Sequence, residues 1–133
     1  MTKAKIYFEK ARKEFFALGA FNAANLETIK AITSAAKKLS SPVIVECSPG
    51  EINFLGIQRA AKIVRTFEEE LQIPIILNLD HGTDPEEIKK AVDAGFDYVH
   101  FDGGKLPFEE AIKIGKELAK YVHKKGNSSV ICL

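Results

Sequence analysis

Tryptophan is absent, methionine occurs once and cysteine only twice among the 133 residues. The two cysteines, Cys47 and Cys132, form no metal-ligand spacing and are too few for a disulfide framework, so a cysteine-built metal module is excluded and a reduced, cytoplasmic compartment is expected. Charge of one sign is equally scarce. A formal net charge of +1 gives no electrostatic footprint for nucleic acid or for an anionic membrane. No apolar run reaches membrane-spanning length, and Met1-Thr2-Lys3-Ala4-Lys5 leads into an amphipathic stretch rather than a signal peptide. Linkers and low-complexity segments are also missing, so residues 1–133 are expected to form a single domain. What remains, 46% hydrophobic and 28% charged residues, describes a soluble globular chain long enough for a real core.

Helical and extended patterns alternate along the chain. A helix is expected over about Lys5–Ala17, with Ile6, Phe8, Ala11, Phe15 and Phe16 as its apolar stripe and Gly19 as its breaker. Ala20-Phe21-Asn22 reads as a first strand, and Asn25 as the N-cap of a helix running to about Leu39. Val43–Ser48 is a second strand, followed by a Pro49-Gly50 turn and one long helical stretch to about Leu71. Residues 73–79 form the third strand, with a helix opening at Thr83-Asp84-Pro85-Glu86. Asp97–Phe101, a helix over Pro107–Lys124, and Ser129–Leu133 complete five strand units. This alternation implies a parallel sheet with right-handed crossovers. Two architectures satisfy it: an open five-stranded doubly wound sheet, or the first half of an eight-stranded barrel.

Strand parity separates the two. Odd-numbered positions (Phe21, Val43, Val45, Cys47, Ile75, Leu77, Leu79, Val99, Phe101) are all apolar, as a face under helices requires. Even-numbered positions begin apolar (Ala20, Ile44, Ile76, with Tyr98) and end polar (Asn22, Glu46, Ser48, Asn78, Asp80, His100, Asp102). Central strands of a doubly wound sheet are apolar on both faces. A face that is apolar at its base and polar at its carboxyl end is a barrel interior with a site at the top. The fold class expected is therefore α/β, an incomplete (β/α)8 barrel of four β/α units plus the start of strand five. A complete barrel needs on the order of 200–250 residues.

Leu79-Asp80-His81-Gly82 carries the chemistry. An acid and an imidazole follow each other where a buried strand ends, joining a proton-transfer group to the commonest zinc ligand. The plain alternative is that Asp80 caps the helix near Pro85 and His81 is a loop histidine. His81 has the wrong parity for the interior face, so the backbone must turn it into the mouth.

With these residues the chain resembles the class II, zinc-dependent fructose-bisphosphate and tagatose-bisphosphate aldolases, over nearly all its length but only the amino-terminal half of their barrel. Gly19-Ala20-Phe21-Asn22 with Asn25, Ser41 through Ser48 and Gly50, Pro74 through Gly82, and Ala94-Gly95-Phe96 with Phe101-Asp102-Gly103 and Leu106–Glu110 carry the resemblance. It implies Zn2+ held by His81, a general acid/base role for Asp80, substrate-facing positions for Asn22 and Ser48, and an Asp102 serving a second cation or the support of the first. It also implies a sugar-phosphate substrate, fructose 1,6-bisphosphate cleaved to two triose phosphates, and a partner that is either a second copy or a complementing second-half chain. Three positions depart from the family's pattern. Asn78 stands where the family has a histidine, Gly104-Lys105 replaces a serine-histidine pair, and Ile131 and Leu133 stand where two glutamates are usual. A truncated or split enzyme, inactive alone, is the expectation. The other expectation is a non-catalytic five-stranded half-barrel that self-associates and binds a phosphorylated metabolite.

Overall fold

Short β-branched runs separated by amphipathic helices leave the chain one economical arrangement: strands side by side in parallel, each joined to the next across a helix. In the computed structural model, which describes residues 2–132 and side chains through Asn127, the elements run α1 (Lys3–Glu14), β1 (Gly19–Asn22), α2 (Leu26–Lys38), β2 (Val43–Cys47), α3 (Pro49–Leu55), α4 (Ile57–Leu71), β3 (Ile75–Gly82), α5 (Pro85–Asp93), β4 (Tyr98–Asp102), α6 (Phe108–Lys124) and β5 (Ser128–Cys132). All five strands are parallel and their spatial order is β1-β2-β3-β4-β5. A doubly wound sheet reverses direction about an inner strand. This one does not, so the structure is part of a barrel wall. Leu133, the last residue of the expected fifth strand, lies outside the described residues, as does the side chain of Ile131.

The two faces differ as parity requires. Val43, Val45, Cys47, Ile75, Leu77, Leu79, Val99 and Phe101 pack beneath the helices with Ile29, Ile52, Val64, Ile88 and Leu118. On the other face Ile44, Ile76 and Tyr98 meet Ala4, Tyr7, Phe8 and Leu18. Helix α1 therefore plugs the base of the barrel interior, and the Phe8 ring stands edge-on to Tyr98 at 5.5 Å. Helix entries follow the capping residues. Thr2 accepts from Lys5 N–H, Asn25 from Thr28 N–H at 2.8 Å, and Asp84 from Glu86 N–H at 2.9 Å.

Three expectations are corrected. The first helix ends at Glu14 rather than Ala17, because Phe15 adopts a left-handed conformation (φ +57°) and caps it, leaving its ring 95% exposed. The stripe that α1 buries is thus Ala4, Tyr7 and Phe8, not one extending through Phe15. Phe21 is 52% exposed, since β1 is an edge strand and α2 leaves its ring uncovered. The single long helix after Pro49 is two helices broken at Gly56, where φ is +84° and the Arg59 guanidinium lies where a Cβ would be. The Glu68 carboxylate ties three elements together. Its oxygens take Lys3 Nζ at 2.7 Å and Ile75 N–H at 3.0 Å, and Arg65 bridges it to Asp97.

Candidate metal and proton-transfer site

Strands β1 to β4 present their polar carboxyl ends on one side of the sheet, and the residues there converge through a break in β3. The β3–β4 register runs Leu79 with Val99 and resumes at Gly82 with Phe101, so an extra residue is accommodated between them. His81 occupies that bulge with φ +52°, a left-handed conformation that a non-glycine residue adopts at some cost. The bulge re-aims the imidazole toward the interior mouth. Gly82 then packs flat on the core; a Cβ there would lie 2.8 Å from Ile88 Cγ1.

His81 Nδ1 lies 3.1 Å from Asp102 Oδ2, and Asp102 Oδ1 accepts Gly104 N–H at 3.0 Å. Those two contacts, the Gly104 N–H foremost, hold the Asp102 carboxyl below its ordinary range despite partial desolvation. An ionised Asp102 assigns the proton of neutral His81 to Nδ1 and leaves the Nε2 lone pair free. Asp80 Oδ1 is 3.9 Å from that Nε2 and 3.6 Å from His100 Nδ1. The His81 and His100 rings sit 4.4 Å apart. Asp80, His81 and His100 each offer one ligand atom within 4.8 Å of the others. Asp80 does not cap α5; Asp84 does, which removes the plain alternative for the acid.

Asn22 Nδ2 reaches Asp80 Oδ2 at 3.4 Å and Glu51 Oε2 at 3.2 Å, and Glu51 also accepts Ser48 N–H at 2.5 Å. Asn22 thereby contacts Asp80, His81 contacts Asp102, and the two pairs meet where Asp80 and His81 stand 3.9 Å apart; Ser48 is tied in through Glu51. Lower in the interior Asn78 donates to Glu46 Oε1 at 2.8 Å, while Asn78 Oδ1 is buried without a partner. Tyr98 is pushed above its ordinary pKa by burial first, then by the Glu46 and Asp80 carboxylates. Cys47 is a buried thiol pushed up to about 12 by burial and by Glu51 and Glu46, which excludes it as a nucleophile. Sequence reasoning missed two residues here. Glu51 was legible as the fourth position of a Ser48-x-x-Glu51 capping box. His100 was legible only as a polar residue of interior parity.

The model of the family described as fructose-bisphosphate aldolase class-II matches residues 2–130. The chain belongs to the class II fructose-bisphosphate aldolase family. A fructose-bisphosphate aldolase of Helicobacter pylori is 40% identical over 120 residues, covering 90% of this chain and 39% of that protein. A 6-phospho-5-dehydro-2-deoxy-D-gluconate aldolase of Bacillus subtilis is 39% identical over 127 residues, covering 93% and 44%. Among solved structures, a candidate fructose-1,6-biphosphate aldolase from Coccidioides immitis superposes with a TM-score of 0.88 at 32% identity, over 96% of this chain and 45% of that one. The chain spans less than half the length of these relatives. The family is metal dependent, and a mixed imidazole–carboxylate set is a donor combination that suits a divalent ion such as zinc.

Proposed function

We propose that this chain supplies the amino-terminal half of a zinc-dependent class II aldolase acting on a ketose bisphosphate, with fructose 1,6-bisphosphate the substrate and the rest of the barrel required for turnover. One observation supports the reading above the others: the β3 bulge that turns His81 into the mouth beside Asp80, with Asp102 behind it. His81 would hold the cation through Nε2, with Asp102 orienting the ring from Nδ1. Zn2+ bound there supplies positive charge toward the ketose carbonyl. Asp80 takes the proton of the hydroxyl on the aldehyde side as the carbon–carbon bond breaks, and the bond's electron pair passes toward the carbonyl. Asn22 steadies Asp80 through Oδ2 and, with the Ser48 hydroxyl, faces the substrate. Asp102, with both oxygens engaged by His81 and Gly104, acts as support rather than as a direct ligand.

The test combines the chain with a polypeptide spanning the remaining barrel strands. Alone it shows no aldol cleavage; the pair cleaves fructose 1,6-bisphosphate, and a chelator abolishes the activity. Asp80→Ala in the pair, assayed with zinc in excess, lowers turnover by roughly 10²–10⁴. Chelator-resistant cleavage, or full activity in Asp80→Ala, overturns the reading. Relatives of nearly equal identity carry the 6-phospho-5-dehydro-2-deoxy-D-gluconate aldolase name, so that substrate is assayed in parallel. Preference for it changes the substrate and leaves the residue roles intact.

A further inference from the structure

We propose that His100 is a metal ligand, and that Asp80, His81 and His100 form a divalent-cation site contained wholly within this chain. The proposal rests on the reading of His81 as a ligand and extends it to a residue that the family resemblance does not assign. Three features carry it.

The first is spacing. Asp80 Oδ1 stands 3.6 Å from His100 Nδ1 and 3.9 Å from His81 Nε2. Both distances are too long for hydrogen bonds. Ligand atoms that share a tetrahedral zinc at about 2.0–2.1 Å lie roughly 3.3–3.4 Å apart. The two Asp80 separations are therefore slightly longer than ligand–ligand distances, and all three ligand atoms lie within 4.8 Å of one another.

The second feature is what His100 lacks. Its side chain is 16% exposed, and Nε2 is buried with no hydrogen-bond partner among the described residues. Histidines that merely pack are normally satisfied when buried. With Nδ1 committed to a cation, the proton belongs on Nε2, which becomes a donor. Asn78 Oδ1, the other buried orphan, is an acceptor on the same face of the neighbouring strand. The two orphans are complementary in character.

The third feature is the donor set. The His81 and His100 rings lie 4.4 Å apart beside the Asp80 carboxylate, two imidazoles and one carboxylate within reach of a single cation. Three protein ligands with one position left open is the pattern of catalytic rather than structural zinc sites. Asp80 meets the cation through Oδ1 only, so Oδ2, on the Asn22 side, remains on the substrate side of the carboxylate.

The experiment is a cobalt(II) titration of the purified 133-residue chain, read by ligand-field absorption, with zinc affinity measured by competition against a chromophoric chelator. One cobalt per chain with a tetrahedral spectrum is expected. His100→Ala and His100→Gln each weaken zinc binding by at least about tenfold, with the circular dichroism of the parent retained; the glutamine variant keeps polarity and bulk but offers no imidazole. His81→Ala weakens binding at least as much. If His100→Gln binds like the parent while His81→Ala loses the metal, the proposal is overturned and the His81 assignment survives. If the parent chain takes up no cobalt, the self-contained site is overturned, while cleavage by the reconstituted pair still decides the proposed function.

Discussion

A histidine held at φ +52° inside a strand bulge is a local expense that the surrounding packing must enforce, and here the enforcing residue is Gly82. Its absent side chain lets Ile88 and Leu79 close over the bulge. Gly82→Ala is expected to cost about 1–3 kcal/mol in urea unfolding, the range for overpacking a filled core. The same change loosens His81, so metal affinity falls with stability rather than independently of it. Cys47 gives the opposite kind of expectation. With its thiol pushed up to about 12 and its side chain buried, it should resist alkylation by iodoacetamide at pH 8 in a folded Cys132→Ser background, and react fully once urea is added. Rapid labelling of the native chain would contradict the burial. At this scale the sequence was legible where a residue's chemistry and its strand parity agreed, as for Asp80 and Asp102. His81 has the wrong parity, and only the bulge resolves it. For His100, parity gave the interior face but not its neighbours, because its approach to His81 depends on the β3 bulge.

Elements were legible to within a turn wherever a capping residue or a proline marked the entry, as at Asn25, Asp84 and Pro85. Misreadings occurred where tertiary contacts overrode local pattern. Phe15 and Phe16 look like a continued stripe, but α1 stops once Ala4, Tyr7 and Phe8 have covered Ile44, Ile76 and Tyr98. The charges that anchor α1 were equally hidden, since Lys3, Arg65, Glu68 and Asp97 meet across 94 residues of sequence separation. Burial alone would raise the Glu68 carboxyl; the Lys3 ammonium, the Ile75 N–H and Arg65 outweigh it and hold it below its ordinary range. A carboxyl depressed by folding stabilises the fold above its unfolded pKa, and that contribution is lost as pH falls through the folded one. Acidification from pH 6 to below 4 should therefore destabilise the parent more steeply than Glu68→Gln. At pH 7 the variant is expected to lose on the order of 1–3 kcal/mol in urea unfolding, the cost of removing a charged hydrogen-bonding partner. Parallel pH–stability curves for the two proteins would refute the role.

At the scale of the molecule, the barrel reading was legible from parity, but the way the half-wall manages its interior was not. An open half-barrel would expose its inner face to water, but α1 covers the apolar base of that face, and the polar mouth above it tolerates water. The β1 side is left uncovered. All four β1 residues are exposed, and Phe21, Ile32, Leu39, Pro42 and Val43 line an open apolar groove of about 450 Å³ between β1 and α2. An edge strand with free backbone groups beside an apolar groove is a pairing surface. The 133-residue chain, expressed by itself, is therefore expected to self-associate at micromolar concentration in sedimentation velocity. Phe21→Lys and Leu39→Lys should shift it toward monomer while leaving cobalt binding at the mouth unchanged, because neither residue touches Asp80, His81 or His100. Adding a polypeptide that spans the remaining strands should compete for the same edge and convert the self-associated form into a one-to-one complex. A cooperative monomer, unchanged by either lysine substitution, would mean that α1 and the helices alone suffice to stabilise the half-wall, and that the groove beside β1 needs no occupant.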